Sequence, residues 1–180
     1  MRSVQIGSSW LELVEGDITR QDTEAIVNAA NQTLLGGGGV DGAIHRAGGP
    51  RVLEECRKIG GCPTGEARIT TGGDLKAKWI IHTVGPVYRD GNHGEPELLA
   101  NAYRSSLVVA AEHGITTLAF PSISTGAYGY PFPEAARIAL GTTMELLKGN
   151  PQVGLVRFVL YGLAAYQAYD HALTRLLEAD

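Results

Sequence analysis

The sequence predicts an α/β fold in which helices cover both faces of a largely parallel sheet. Three observations support it: short apolar runs alternate with helical patterns, turn residues bound each run, and the composition is that of a globular protein. Of the 180 residues, 44% are hydrophobic and 19% are charged, so the chain can bury a substantial core. No linker or composition shift divides the chain, and we expect one domain over residues 1–180.

Short β-branched runs mark the predicted strands. The first run, Val4–Ile6, lies so close to the next that the two could form an antiparallel edge. The others are bounded by Gly, Pro, Asp or Asn, as strands usually are. They lie at Trp10–Val14, Ala25–Val27, Ala67–Thr70, Trp79–Val84, Thr117–Phe120 and Leu155–Tyr161.

Helical periodicity is clearest between Pro96 and His113. Apolar residues from Leu99 to Ala110 recur there at helical spacing, and Gly114 fits the position just past a helix end. Helices that alternate with strands imply parallel pairing, because each crossover carries the chain back to the same end of the sheet. Three further segments are predicted to be helical: Val40–Ala47, Pro133–Lys148 and Ala164–Glu178.

Charge and cysteine content exclude several classes of protein. A net charge of −4 and a pI of about 5.7 give no general attraction to nucleic acid or to anionic membranes. The first residues lack the apolar segment of a signal peptide, and no run is long enough to span a bilayer. Cys56 and Cys62 stand outside any metal-like Cys/His pattern in the sequence, so we expect reduced thiols in a cytoplasmic, monomeric protein.

The most informative segment runs from Val27 to Gly49. Backbone N–H groups of glycines in a concave turn hold phosphate oxygens, and flanking Asn and Asp side chains can bind hydroxyl groups. The segment therefore predicts a pocket for a nucleotide-like ligand with a sugar beside its phosphates. It contains Asn28 and Asn31, then Gly36, Gly37, Gly38 and Gly39, then Asp41 and His45.

Other interpretations of the glycine run are less favoured. Gly37, Gly39 and Gly42 satisfy the G-x-G-x-x-G pattern of dinucleotide sites, but the run lies too far beyond the preceding strand, and Asp41 would repel a pyrophosphate. No Gly-Lys-Ser/Thr follows, which excludes a Walker loop. A flexible surface loop is the remaining alternative, and the particular polar residues on both sides argue against it.

A second loop with phosphate-binding character spans Pro121–Pro131. Its hydroxyls and backbone N–H groups suit phosphates, and its tyrosines either wall a pocket or anchor the loop. Because the carboxyl ends of parallel strands meet at one edge of a sheet, the two loops would hold a diphosphate from both sides. The residues concerned are Ser124, Thr125, Gly126, Tyr128, Gly129 and Tyr130.

Six segments in order resemble macrodomains of the MacroD type, from about Val14 to Tyr161. The resemblance implies a three-layer α/β/α fold with a mixed, mostly parallel central sheet and a cleft for ADP-ribose. It also implies hydrolysis of ADP-ribosyl esters, namely mono-ADP-ribosylated acidic side chains and O-acetyl-ADP-ribose. The segments are Gly16-Asp-Ile-Thr19, Val27-Asn-Ala-Ala-Asn31, Gly36–His45, Cys62-Pro-Thr-Gly65, His82-Thr-Val-Gly-Pro86 and Ser124-Thr-Gly-Ala-Tyr-Gly129.

The resemblance assigns ligand contacts along the chain. Asp17 would accept a hydrogen bond from the adenine amino group beside the backbone of Ile18, although Asp17 also suits a turn cap. Tyr161 would stack on adenine, its alternative being core packing. The two loops would hold the diphosphate and the distal ribose. Their ligand residues would be Asn28, Gly36, Gly37, Gly38, Gly39, Val40, Ser124, Thr125, Gly126, Ala127 and Tyr128.

Asp41 is the best candidate for directing a water molecule at the scissile carbon. It could act as a general base or only align the water, a substrate phosphate sharing the work in the second case. Asn31 would fix the distal ribose hydroxyls, and Asn28 could instead support the loop. His45, four residues after Asp41, would orient it or serve a structural role. No metal or cofactor is expected.

The expected partners are ADP-ribose, its esters and ADP-ribosylated proteins. A non-catalytic ADP-ribose reader is an alternative, and the Asn31–Asp41 pair argues against it because a reader needs no water-directing carboxylate. Binding of RNA or poly(A) is disfavoured by the acidic charge. Phosphatase action on ADP-ribose 1″-phosphate would use the same cleft.

Overall fold

The central sheet contains seven strands, and the computed structural model describes it together with every other residue from 1 to 180. The strands are β1 (Arg2–Ile6), β2 (Ser9–Glu15), β3 (Ala25–Ala30), β4 (Ala67–Thr71), β5 (Trp79–Val84), β6 (Thr117–Phe120) and β7 (Leu155–Leu160). The helices are α1 (Gly39–Gly48), α2 (Pro50–Ile59), α3 (Glu95–Glu112), α4 (Phe132–Gly149) and α5 (Leu163–Ala179), with a short 3₁₀ turn at Ile18–Arg20.

The strand order is β1-β2-β7-β6-β3-β5-β4. The four inner pairs are parallel, and the two edge pairs, β1–β2 and β4–β5, are antiparallel. This confirms the predicted mixed, mostly parallel α/β sheet, including its β1–β2 edge. The antiparallel β4–β5 pair was not predicted, and it forms because Gly72 and Lys78 close a short connection that could not carry a parallel crossover.

Helix α2 is the one helix that the sequence analysis missed. Pro50 occupies its first turn, and Gly60 ends it in the left-handed conformation. Only Val52 and Cys56 are buried along it, so its apolar stripe is too narrow for a clear helical pattern. No helix in the structure combines the length and the hydropathy that a membrane crossing requires.

Two hydrophobic clusters lie on opposite faces of the sheet. The larger contains 31 buried residues and packs α3, α4 and α5 against one face, with Phe120 and Phe158 stacked at 5.4 Å between ring centroids. The smaller contains 13 buried residues, among them Ile44 of α1 and Val52 of α2, on the other face. The three layers of the predicted α/β/α arrangement are thus present.

The carboxyl ends of the parallel strands position the candidate site. Strands β2, β3, β6 and β7 run in the same direction, so the loops that follow them emerge at one edge of the sheet. These loops begin at Gly16, Asn31, Pro121 and Tyr161. The segments singled out in the sequence therefore converge there.

Candidate functional site

A cavity of about 540 Å³ opens at this edge of the sheet, a volume within the usual range for small-molecule sites. A smaller cavity of about 320 Å³ beside α3 and α4 is mostly apolar, with Glu112 as its only charged side chain, and offers little to an anionic ligand. The larger cavity is lined by Gly16, Asp17, Ile18, Gly39, Val40, Ala43, Arg46, Pro121, Ser122, Thr125, Gly126, Phe132, Val159, Tyr161 and Ala165.

Asp17 lines the cavity and caps the 3₁₀ turn, which confirms the turn cap predicted from the sequence. Its Oδ1 atom accepts hydrogen bonds from the Thr19 hydroxyl at 2.7 Å and from the Thr19 backbone N–H at 2.9 Å. These bonds, the hydroxyl foremost, lower the pKa of the Asp17 carboxyl. Its Oδ2 atom accepts no hydrogen bond within the protein, because its nearest partner, the exposed Arg20 Nε, is 3.8 Å away. Oδ2 is therefore the oxygen that is free to accept from a ligand amine.

Two aromatic side chains line the cavity. Tyr161 follows β7 and is 87% exposed, which excludes core packing and leaves its ring face available for stacking. Phe132, the first residue of α4, lies on the same cavity. The sequence analysis missed Phe132; the signal was an aromatic between Pro131 and Pro133 directly after a predicted binding loop.

The glycine loop presents a row of unpaired backbone N–H groups. No protein acceptor bonds the amides of residues 36–41, and the first helical bond of this region runs from Gly42 N to Gly38 O. Helix α1 begins at Gly39 with no side-chain cap, so its N-terminus is free for an anion. A Cβ at Gly42 would collide with the Gly37 carbonyl oxygen, which explains the glycine there.

The second loop also leaves the backbone amides of residues 124–128 without protein acceptors. Ser124 has a φ of 69°, a conformation that is costly without glycine. Its hydroxyl donates to Pro86 O at 2.8 Å and is buried, so we correct the expectation that this hydroxyl binds phosphate. The Thr125 hydroxyl is likewise used by Ser122, and both residues can offer their backbone N–H groups instead.

The second loop is anchored at both tyrosines, through the backbone of Tyr128 and the side chain of Tyr130. The carbonyl of Tyr128 accepts from Tyr88 N at 2.8 Å, and neither Ala127 nor Tyr128 lines the main cavity. Tyr130 is 2% exposed and packs against Tyr88 with ring centroids 4.7 Å apart. The alternative of a pocket wall is therefore not realised at Tyr130.

Asp41 stands directly behind the glycine loop and is 5% exposed. Its Oδ1 atom accepts from Asn28 Nδ2 at 2.9 Å. His45 Nε2 lies 3.4 Å from the same oxygen without a hydrogen bond, so the orientation of Asp41 by His45 stays a prediction. A Cβ on Gly37 would come within 3.2 Å of Asp41 Oδ2, which means that the glycine keeps this second oxygen accessible.

Both predicted amides are used inside the protein. Asn28 is completely buried, which rules out a direct ligand contact and favours the alternative of loop support. Asn31 Nδ2 donates to Gly36 O at 3.0 Å, and its Oδ1 accepts from Thr33 N at 3.1 Å. Asn31 therefore shapes the glycine loop, and a ribose contact would have to use its second amide hydrogen.

His82 completes the support of Asp41, and the sequence analysis gave it no role. Asn28 Nδ2 lies 3.1 Å from His82 Nδ1, and His82 Nε2 lies 2.9 Å from Thr70 Oγ1. Because the Thr70 hydroxyl donates to the Thr71 carbonyl, Thr70 accepts from His82. His82 thus carries its proton on Nε2, and Nδ1 accepts from Asn28.

The buried histidine stays neutral. Burial above all, and then the nearby His45, lower the pKa of His82 to about 3. The pairing of β3 with β5 sets Asn28 opposite His82. This neighbour relation depends on strand order, and therefore no local pattern in the sequence could indicate it.

A third cavity, of about 410 Å³, lies on the other side of the glycine loop. Arg46 lines this cavity as well as the cavity of about 540 Å³, and it makes no ion pair with a protein carboxylate. Gly38 lines neither cavity, so its predicted ligand contact would have to come through its backbone N–H. The walls are Leu35, Gly36, Gly37, Gly42, His45, Arg46, Gly49, Pro50 and Leu53.

Both cysteines are free thiols. Burial raises the pKa of Cys56 to about 11, and its Sγ atom lies 3.8 Å from His82 Nε2. The sequence shows no Cys/His cluster, but the fold brings the ligand atoms of His45, Cys56 and His82 within 4.8 Å of one another. Cys62 lies apart and contacts the Pro63 carbonyl.

Comparisons with known proteins identify the family. The family model described as Macro domain matches residues 27–139. A macro domain-containing protein of Caldanaerobacter subterraneus is 54% identical over 170 residues, covering 92% of this chain and 97% of that protein. A Cronobacter turicensis protein named O-acetyl-ADP-ribose deacetylase is 51% identical, also over 92% of this chain and 97% of that protein.

A solved structure matches the fold. The Oceanobacillus iheyensis macrodomain with ADP has a TM-score of 0.96 and 46% identity, covering 99% of this chain and 97% of that chain. The MacroD-like resemblance predicted from the motifs is thereby confirmed, and by sequence and fold this chain belongs to the macrodomain family.

Proposed function

We propose that this macrodomain is an ADP-ribose-binding hydrolase. It removes ADP-ribose from mono-ADP-ribosylated acidic side chains and deacetylates O-acetyl-ADP-ribose by metal-independent attack of water. The observation that carries the proposal is the Asp41 carboxylate, held by Asn28 directly behind a loop of unpaired backbone amides. A binding module would need the amides but not an oriented carboxylate beside them.

The cavity suits ADP-ribose from end to end. Asp17 Oδ2 accepts from the adenine amino group, and Tyr161 stacks on the base. The amides of residues 36–41 and 124–128 bind the diphosphate from both sides. The similar Oceanobacillus iheyensis protein was solved with ADP, which contains the same adenine, ribose and diphosphate.

The proposed chemistry takes place at Asp41, which lies behind the loop of residues 36–41. Its Oδ1 atom is used by Asn28, so Oδ2 aligns or deprotonates the water. The water's oxygen bonds to the ester carbon, the ester C–O bond breaks, and the departing oxygen takes up a proton. Asn31 shapes the loop that fixes the distal ribose. The name of the Cronobacter turicensis relative, O-acetyl-ADP-ribose deacetylase, supports an ester substrate.

The test compares wild type, Asp41→Ala and Asp17→Ala in two assays. One measures ADP-ribose release from a protein modified on glutamate and acetate release from O-acetyl-ADP-ribose; the other measures ADP-ribose affinity by calorimetry. We expect Asp41→Ala to keep affinity within a few-fold and to lose most turnover. Asp17→Ala should weaken binding by about 1–3 kcal/mol, the cost of losing a charged hydrogen bond.

The outcomes separate the alternatives. Normal turnover by Asp41→Ala would remove Asp41 from the mechanism. Tight binding without release from either substrate, in wild type as well, would make the protein a reader of ADP-ribose. Unchanged affinity in Asp17→Ala would mean that the adenine lies elsewhere.

A further inference from the structure

Two imidazoles and a thiol converge behind Asp41, outside the ligand cavity. The ligand atoms of His45, Cys56 and His82 all lie within 4.8 Å of one another. Any three atoms so placed lie within about 2.8 Å of a common point, close to the roughly 2.0–2.3 Å of Zn–N and Zn–S bonds. Small side-chain movements would therefore bring all three into bonding distance.

One member of this cluster has an unused ligand atom. His45 Nε2 is buried and has no hydrogen-bond partner, which is uncommon for a polar atom in a protein interior. Cys56 Sγ lies 3.8 Å from His82 Nε2, near the separation of two donors on one tetrahedral ion. Asp41 Oδ1, 3.4 Å from His45 Nε2, could supply a fourth ligand.

We propose that His45, Cys56 and His82 form a binding site for a borderline divalent cation such as Zn²⁺, and that its occupancy inhibits the hydrolase. A nitrogen–nitrogen–sulfur donor set selects Zn²⁺ and its analogue Co²⁺ over the hard cations Mg²⁺ and Ca²⁺. On binding, the Cys56 S–H bond breaks, its proton passes to solvent, and the thiolate bonds the metal.

The metal and the support of Asp41 exclude each other. His82 now holds its proton on Nε2 and accepts from Asn28 at Nδ1. A metal on Nε2 moves that proton to Nδ1, where it faces the amide nitrogen of Asn28. The amide must turn to present its oxygen, and the hydrogen bond from Asn28 to Asp41 is then lost. The inhibition rests on the proposed function, whereas the metal site does not.

Cobalt titration tests the site without relying on catalysis. Wild type, Cys56→Ser and Cys62→Ser are titrated with Co²⁺ under a non-thiol reductant while absorption spectra are recorded. Cys62 is the matched control, since it is also a buried free thiol but lies outside the cluster. We expect a thiolate-to-cobalt charge-transfer band in wild type and Cys62→Ser, absent in Cys56→Ser and removed by one equivalent of Zn²⁺.

Hydrolysis forms a separate arm. Each variant's rate with Zn²⁺ is divided by its own rate with chelator, and we expect at least about tenfold inhibition of wild type and Cys62→Ser only. Thermal melts establish that Cys56→Ser is folded, and His45→Ala gives a second variant that should lose the cobalt band. No band in wild type, or a band that survives in folded Cys56→Ser, would overturn the site. Equal zinc inhibition of all variants would overturn the link to Asp41.

Discussion

At the scale of single residues, the side chains that line the cavity differ from those that hold Asp41 in place. Asp17 and Tyr161 face the cavity, whereas Asn28 and His82 are completely buried and act on Asp41 from behind. A carboxylate that accepts a fixed hydrogen bond on Oδ1 has its other oxygen held in one direction. The support behind Asp41 therefore belongs to the proposed chemistry, although no ligand touches it.

Stacking on Tyr161 gives a residue-scale prediction. Replacement by alanine should weaken ADP-ribose binding by about 1–3 kcal/mol, or roughly 5- to 150-fold in Kd, because a stacking face is lost. Since the side chain is 87% exposed, the melting temperature should stay unchanged. Calorimetry on Tyr161→Ala and Tyr161→Phe measures this, and the Phe variant should bind as wild type. Wild-type affinity in Tyr161→Ala would place the adenine away from β7.

At the scale of elements, the loop between β3 and α1 depends on close backbone approach. Its amides converge because Gly42 lets the first turn of α1 pack against the Gly37 carbonyl oxygen. The same loop is fastened by Asn31 through Gly36 O. The proposed phosphate-binding site is thus a property of the whole strand–loop–helix unit.

The glycine loop gives an element-scale prediction. Gly42→Ala should lower ADP-ribose affinity at least tenfold, since about 1–3 kcal/mol of overpacking displaces the loop amides. Gly38→Ala is the matched control, because a Cβ there meets no atom within 4 Å and the backbone is extended. Calorimetry and thermal melts on both variants decide it. Equal affinities would show that the loop adapts to a side chain at Gly42.

Local patterns predicted most elements, and failed where pairing was not local. Periodicity and caps gave α3, α4 and α5, and β-branched runs gave the strands. Helix α2 was not predicted, because just two of its side chains are buried and its apolar stripe is therefore narrow. The antiparallel orientation of β4 was not predicted, because connection length and register decide it rather than composition.

For the site, local patterns predicted the two loops but not the contacts of individual side chains. Both loops could be identified from glycines, hydroxyls and their position after strands. The direction of a hydroxyl, as at Ser124, depends on a φ of 69° that no residue pattern signals. His82 supports Asp41 only through the β3–β5 register, which sets it opposite Asn28.

At the scale of the whole molecule, the fold buries groups that titrate differently once it unfolds. Burial tends to raise the pKa of the Glu95 carboxyl, but backbone N–H groups, including those of Arg89 and Gly91, outweigh this and lower it. Glu95 therefore stabilises the fold above its unfolded pKa of 4.5, and that contribution is lost as the pH falls. His82 makes the fold acid-sensitive at a higher pH.

The pH dependence of unfolding measures the contribution of His82. Its pKa is about 3 when folded and 6.5 when unfolded. Below pH 6.5 the unfolded chain binds a proton on His82 that the folded chain does not bind. The free energy of unfolding therefore decreases as the pH is lowered below 6.5 and is fully restored above it. Between pH 6.5 and pH 5 the free energy of unfolding decreases by about 1.5–2 kcal/mol through His82. Carboxylates contribute little in this range, because they are protonated mainly at lower pH.

Urea unfolding over this range compares wild type with His82→Asn, which keeps a polar side chain for Asn28 and Thr70. The pH slope of its free energy of unfolding should be smaller than that of wild type by the contribution of about one bound proton. Parallel curves for wild type and His82→Asn would mean that His82 is protonated inside the fold. Its Nδ1 atom could then not accept from Asn28, and the support of Asp41 would need a different partner.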